Sequence, residues 1–294
     1  MNIVSLLPSA TEILYAVGAG EDVVGVTFEC DHPQEARARR IVSTSALPEG
    51  LDPAAIDAAV RARIAAGEDL YHLDRGALAD LDADLVVTQD LCAVCAVDVS
   101  EVTAALEHLG CHAEVLTTDP QDLEQVLDSV VQVGAATGHE AEALALVKDL
   151  RARLDAVAVR VAGRGRPRTV VLEWTDPPFA PGHWVPEMVQ LAGGQCVLGR
   201  AGERSVPTTW TDVAAAAPDV VVSAPCGFGL EDSARLAREL LAAGSLPGGI
   251  PVWAVDANAS FARPGPRLVD GIEALAAILH GDQEPDPVLA RRLR

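Results

Sequence analysis

Short apolar runs alternate with amphipathic stretches along almost the whole chain. Residues 3–7 form an apolar run stopped by Pro8. Ser9-Ala10-Thr11-Glu12 then has the spacing of a capping box, with the apolar run 13–17 behind it and Gly18 and Gly20 to end a helix. Strands are expected at 23–27, 41–43, 85–88 and 113–117, and helices over 53–66, 75–82 and 99–109. Pro120 opens a helical stretch interrupted near Thr137-Gly138. Its second piece, 139–162, carries Leu144, Val147, Leu150, Leu154, Val157 and Val161 at helical spacing and would be about 35 Å long. It stops at Gly163-Arg164-Gly165-Arg166-Pro167. The pattern then restarts, with strands at 169–174, 220–223 and 252–255 and helices near 184–192, 211–217, 231–243 and 265–280.

This alternation predicts an α/β fold of two Rossmann-like lobes, each with a mostly parallel sheet, joined by one long helix, with a ligand cleft between the lobes. The expected parts are an N-terminal α/β lobe over 1–119, a helical segment over 120–163 and a C-terminal α/β lobe over 164–281. The polar residues 282–294 are expected to form a disordered tail. Ligands of open α/β sheets gather outside the carboxyl ends of the strands. The segments following the expected strands hold most of the chain's few aromatic residues and all but two of its cysteines. The candidate ligand-binding residues are Phe28, Cys30, His32, Gln89, Cys92, Cys95, Trp174, Phe179, His183, Trp184, Cys226, Phe261 and Arg263. Phe28, Trp174, Phe179, Trp184 and Phe261 are expected as stacking walls, and Arg263 as a group able to reach an anionic ligand. Glu173 and Asp176, which flank Trp174, are read as cleft-edge or solvated residues.

Charge removes some classes of partner. The net charge is −21, the only lysine is Lys148, and the arginines are dispersed, so neither nucleic acid nor an anionic membrane surface is expected as a partner. No run of 18 apolar residues occurs, so no membrane-spanning helix is expected. The first residues lack the basic and long apolar regions of a signal peptide, which gives a cytoplasmic expectation. The chain has no G-x-G-x-x-G after a strand, no phosphate loop, no G-x-S-x-G elbow and no H-E-x-x-H.

The ordered set Ser5-Leu6-Leu7-Pro8-Ser9-Ala10-Thr11-Glu12, Val24-Gly25-Val26-Thr27, Cys30-Asp31-His32-Pro33, Ala83-Asp84-Leu85-Val86-Val87, Pro177-Pro178-Phe179, Leu191-Ala192-Gly193-Gly194 and Ala217-Pro218-Asp219-Val220-Val221-Val222 resembles the class III periplasmic substrate-binding proteins, specifically the cobalamin-binding type. The likeness runs over about residues 2–280 and points to a leaderless branch. It implies two lobes that clamp a corrinoid or a related metal chelate. Phe28, Cys30, His32, Phe179 and Phe261 stand at the contact-loop positions, beside Trp174, His183 and Trp184. Relatives dock on an ABC permease through one glutamate per lobe. The aligned positions are Gly76 and Thr211, which cannot pair with arginine, so permease docking is not expected through them. Residues 50–72 resemble an insertion.

The cysteines are open to two readings. Cys30, His32, Cys92 and Cys95 follow neighbouring strands and have the chemistry to hold Zn²⁺ or another transition metal, or to offer an axial ligand to a corrinoid cobalt. They equally suit small buried core positions. The sequence therefore favours a soluble ligand-binding protein for cobalamin or a similar chelate, with no catalytic residue assigned. The alternative is an enzyme using Cys92 or Cys95 for metal-dependent or redox chemistry on a cofactor.

Overall fold

The computed structural model describes residues 1–89, 102, 106 and 112–294. The described chain forms two compact units, residues 1–119 with 127–148 and residues 120–126 with 149–294.

In the first unit, β1 (Ile3–Ser5) leads into α1 (Pro8–Ala16), and β2 (Val23–Thr27), β3 (Arg40–Ser45), α2 (Pro53–Ala66), β4 (Tyr71–Leu73), α3 (Arg75–Ala79), β5 (Leu85–Thr88) and β6 (Glu114–Thr117) follow. The strand order is β4-β3-β2-β1-β5-β6. Every pairing is parallel except β3 with β4. The central strands β1 and β5 are buried along their whole length, which is why they read as unbroken apolar runs rather than alternating ones. Val4, Leu6, Val42, Leu70, Tyr71 and Val86 pack into one core beneath them, with Val102 and Leu106 of the expected helix 99–109. The rest of that expected helix lies outside the described residues.

The expected capping box does not form. Helix α1 begins at Pro8 with Leu7 at the N-cap and no side-chain cap, because Pro8 suits the first helical position and starts the helix before Ser9. Thr11 is buried and turns its hydroxyl to Ser5 instead.

Helix α4 (Leu123–Thr137) and helix α5 (Glu140–Val161) are each divided between the units. The helical segment is therefore not a part of its own. Leu123, Val126 and Val157 belong to the second unit's core.

The second unit continues with β7 (Arg168–Leu172), β8 (Trp174–Thr175), β9 (Pro178–Ala180), α6 (Val185–Leu191), β10 (Gln195–Cys196), β11 (Val206–Pro207), α7 (Trp210–Ala215), β12 (Val220–Ser223), α8 (Leu230–Ala242), β13 (Val252–Val255), α9 (Ala257–Ser260), α10 (Leu268–His280) and β14 (Ala290–Arg292). Its main sheet has the order β10-β7-β12-β13-β14, and a small antiparallel sheet has the order β11-β9-β8. The single strand expected over 169–174 is thus split. Leu172 ends the main-sheet strand, Glu173 intervenes, and Trp174 turns away to pair with Phe179.

The tail corrects a second expectation. β14 pairs antiparallel with β13 and occupies its edge, with Ala290 buried. Arg291 makes a forked contact to both Glu231 oxygens at 2.8 and 2.6 Å, and Arg294 donates to the Ile250 carbonyl at 2.8 Å. Strand β13 presents backbone groups that need partners, and a polar strand on an edge satisfies them without any apolar signal. Among the described residues, no helix is long and apolar enough to cross a membrane.

Candidate ligand-binding site

In each unit the strand order reverses beside the first strand, so that successive strands add to opposite sides of it. The reversal lies between β1 and β5 in the first unit and between β7 and β12 in the second. Segments leaving the carboxyl ends of these strands are where doubly wound folds hold ligands.

In the first unit Phe28 follows β2 and remains 39% exposed, its ring 6.2 Å from that of Tyr71. Tyr71 donates from its hydroxyl to Glu29 at 3.2 Å. Tyr71 is missing from the sequence-derived set because it lies in the segment read as an insertion. His32 is exposed and Gln89 half-buried. Cys30 departs from its expected role. It is 3% exposed, with its Sγ 2.9 Å from Thr11 Oγ1. Thr11 donates its single hydroxyl proton to Ser5 Oγ at 2.8 Å, and Ser5 donates to the Leu7 carbonyl at 3.1 Å. The Cys30 thiol thus lies at the end of a buried run of hydroxyl contacts. This enclosure matches the reading of Cys30 as a small buried core residue. Cys92 and Cys95 lie outside the described residues. Among the described residues, no group of histidines, cysteines and carboxylates gathers to hold a metal ion.

In the second unit Trp174 and Phe228 form a tilted pair with ring centroids 5.6 Å apart, both half-buried. Trp174 donates from Nε1 to the Asp176 carbonyl at 3.1 Å, which fixes the indole over its own hairpin. Phe179 is half-buried on β9, and Cys226 is exposed beside Phe228. His183 is half-buried, with φ of 48°. Burial, and then the Arg204 charge, hold its imidazole below the usual histidine range.

Two expected walls are core residues instead. Phe261 is 2% exposed and Trp184 8% exposed, both within the main cluster of the second unit. Trp184 donates from Nε1 to the Phe261 carbonyl at 2.7 Å. Their apolar surface, read from sequence as ligand-facing, is used up by Met188, Leu268 and Ile272. Arg263, expected to reach an anionic ligand, is buried with 8% of its surface exposed.

Glu173, read as a cleft-edge or solvated residue, is half-buried, and its carboxyl is turned inward onto two donors. Gly182 N–H donates to its Oε1 at 3.2 Å and the Ser205 hydroxyl donates to its Oε2. Burial pushes its carboxyl up to about 7 against these two donors. Nearby Cys196 is pushed up to about 11, chiefly by burial, and donates to the Leu198 carbonyl at 3.0 Å. The sequence signal for Glu173 was its place directly after the apolar run of β7, at the reversal point of the sheet.

Each unit by itself thus offers exposed or half-buried aromatic surface, with His32 and Gln89 in the first and His183 and Cys226 in the second. Flat apolar faces with a few polar groups suit a large planar amphipathic molecule.

Comparison with known proteins agrees with this architecture. An uncharacterized ABC transporter substrate-binding lipoprotein of Bacillus subtilis, YvrC, is 26% identical over 290 residues, covering 96% of this chain and 80% of the relative. A vitamin B12-binding protein of Vibrio cholerae is 22% identical over 281 residues, covering 95% of this chain and 88% of the relative. The crystal structure of a periplasmic heme-binding protein from Pseudomonas aeruginosa superposes with a TM-score of 0.70 at 21% identity, covering 98% of this chain and 96% of that one. The family model described as periplasmic binding protein matches residues 3–243, and the chain belongs to that family.

Proposed function

We propose that this chain is a substrate-binding protein of the ABC-transporter type that captures a tetrapyrrole-like metal chelate, with a corrinoid as the favoured ligand. Family membership supports the binding role. The relatives named for vitamin B12 and heme support the ligand class. The observation that carries the reading is the Trp174–Phe228 pair, whose half-buried rings stand where β7 and β12 diverge. Phe28 offers a second exposed ring past β2. A flat apolar ring face suits one face of a planar macrocycle, which gains by leaving water.

The test is to titrate purified protein with hydroxocobalamin and, separately, hemin, following the absorption bands and the calorimetric heat. Saturable binding of hydroxocobalamin with displaced corrin bands is expected, weakened at least tenfold in Trp174→Ala and in Phe28→Ala. Binding of hemin alone would move the assignment from corrin to porphyrin. No heat and no spectral change with either at micromolar protein would overturn the proposal.

A further inference from the structure

Glu173 connects the segments of the second unit that carry the candidate ligand groups. Its own N–H donates to the Phe179 carbonyl at 3.2 Å, and its carbonyl accepts from the Cys226 N–H at 3.0 Å. Its carboxyl accepts from Gly182 on the loop leading to His183, and from Ser205 on the loop that precedes β11. Those two loops are stitched to each other, His183 N–H to the Glu203 carbonyl at 2.6 Å and Gly202 N–H to the His183 carbonyl at 2.9 Å. No side chain fits at Gly182, since the backbone of Arg204 and Ser205 occupies the place its Cβ would take. One residue thereby gathers these segments, the backbone of Glu173 holding those of Phe179 and Cys226 and its side chain holding the two loops around His183.

We propose that Glu173 is the positioning residue for the second unit's ligand loops, holding them in binding geometry as a carboxylate and loosening them as a neutral acid. The inference rests on the binding role proposed above. Both contacts from Gly182 and Ser205 are donors, and a carboxylate is an acceptor on both oxygens. The neutral acid carries a proton on one oxygen, so the Ser205 hydroxyl must reverse and accept from it, while Gly182 N–H keeps the other oxygen. The bonds it keeps also lose their charge assistance. Burial places this exchange in the neutral range, at about 7. The ionisable groups on the surrounding segments are Asp176 on its own hairpin, His183, Arg200, Glu203 and Arg204 on the two loops, Cys196 on β10 and Cys226 after β12. Cys196 stays a neutral thiol across that range, and His183 is held toward its neutral form.

The experiment measures hydroxocobalamin affinity and the tryptophan emission of the ligand-free protein from acid to mildly alkaline pH, in the wild type, Glu173→Gln and Ser205→Ala. In the wild type, affinity rises about five- to tenfold as pH passes through the neutral range, the scale of the charge assistance lost from one hydrogen bond. The ligand-free emission steps over the same range. Glu173→Gln shows neither step and binds like the acid form of the wild type. Ser205→Ala keeps both steps and moves them to higher pH, because it removes a donor that favours the carboxylate. An emission step unchanged in Glu173→Gln, or a wild-type affinity independent of pH, would overturn the assignment. If hydroxocobalamin binds at no pH, the ligand reading fails by itself, and the emission step with its response to the two variants still decides whether Glu173 controls the loops.

Discussion

Trp184 and Phe261, far apart in sequence, are joined by the 2.7 Å bond from the indole Nε1 to the Phe261 carbonyl, with both rings inside the second unit's core. Trp184→Phe leaves that carbonyl without its donor and opens a small void, for an expected loss of about 2–3 kcal/mol. Phe261→Ala should cost about 3–5 kcal/mol. Urea denaturation measures both, and hydroxocobalamin affinity of the still-folded variants should change less than about twofold on the Kd scale. Lost affinity with unchanged stability would return these rings to the ligand walls.

The order of thiol reactivity follows from burial. Cys226 is exposed, whereas Cys30 is enclosed against Thr11 and Cys196 is pushed up to about 11. Brief iodoacetamide treatment of the folded protein, mapped by mass spectrometry, should label Cys226 well before Cys30 or Cys196. Thr11→Val breaks the run of contacts from Cys30 through Ser5 to Leu7 and should cost about 1–2 kcal/mol at unchanged urea m-value.

Glu173 imposes a pH dependence on stability with a definite sign. Its carboxyl titrates at about 7 in the folded protein against an ordinary value of 4.5, so the folded state holds the proton more tightly. The contribution is fully present below the ordinary value, declines as pH rises to about 7, and is level above that. The whole fall is on the order of 1–3 kcal/mol. Thermal denaturation should show Glu173→Gln gaining on the wild type between these limits. A constant difference across that range would contradict the buried carboxyl. A group that costs stability in its charged form, where it also orders binding loops, is an instance of the trade between stability and function.

Removal of residues 287–294 exposes the edge of β13 and deletes the contacts of Arg291 and Arg294. The Arg291–Glu231 pair is solvent-exposed and accounts for about 1 kcal/mol at most. The lost backbone ladder and the buried Ala290 account for the greater part of an expected drop of about 2–4 kcal/mol. Truncated protein that melts with the full-length chain would show that β14 adds nothing.

Apolar periodicity was sufficient to locate the buried strands β5, β12 and β13 and the helix over 140–161, because burial on both faces or along one stripe writes itself into local pattern. The same reading placed Phe28, Phe179 and Cys226 past strand ends with Trp174 beside them, and all four have exposed or half-buried surface, although Trp174 and Phe179 lie on the short strands β8 and β9. Local pattern does not record which of two partners an aromatic ring meets. Phe261 and Trp184 therefore looked like Phe28 and Trp174 until the core that covers them was assembled. Strands β8, β9, β11 and β14 escaped notice because each is two or three residues long and held by pairing with a distant segment rather than by its own apolar content.

Sequence alone thus determined the alternating α/β plan, the family likeness and the positions where strands run out into loops, all of which depend on residues close together in the chain. Only the tertiary structure decided that Cys30 is buried against Thr11, that Phe261 is core and that the Glu173 carboxyl meets Gly182 and Ser205. Those outcomes depend on which distant groups exclude water from a side chain, and solvent exclusion is a property of the packed molecule that no local stretch of residues carries.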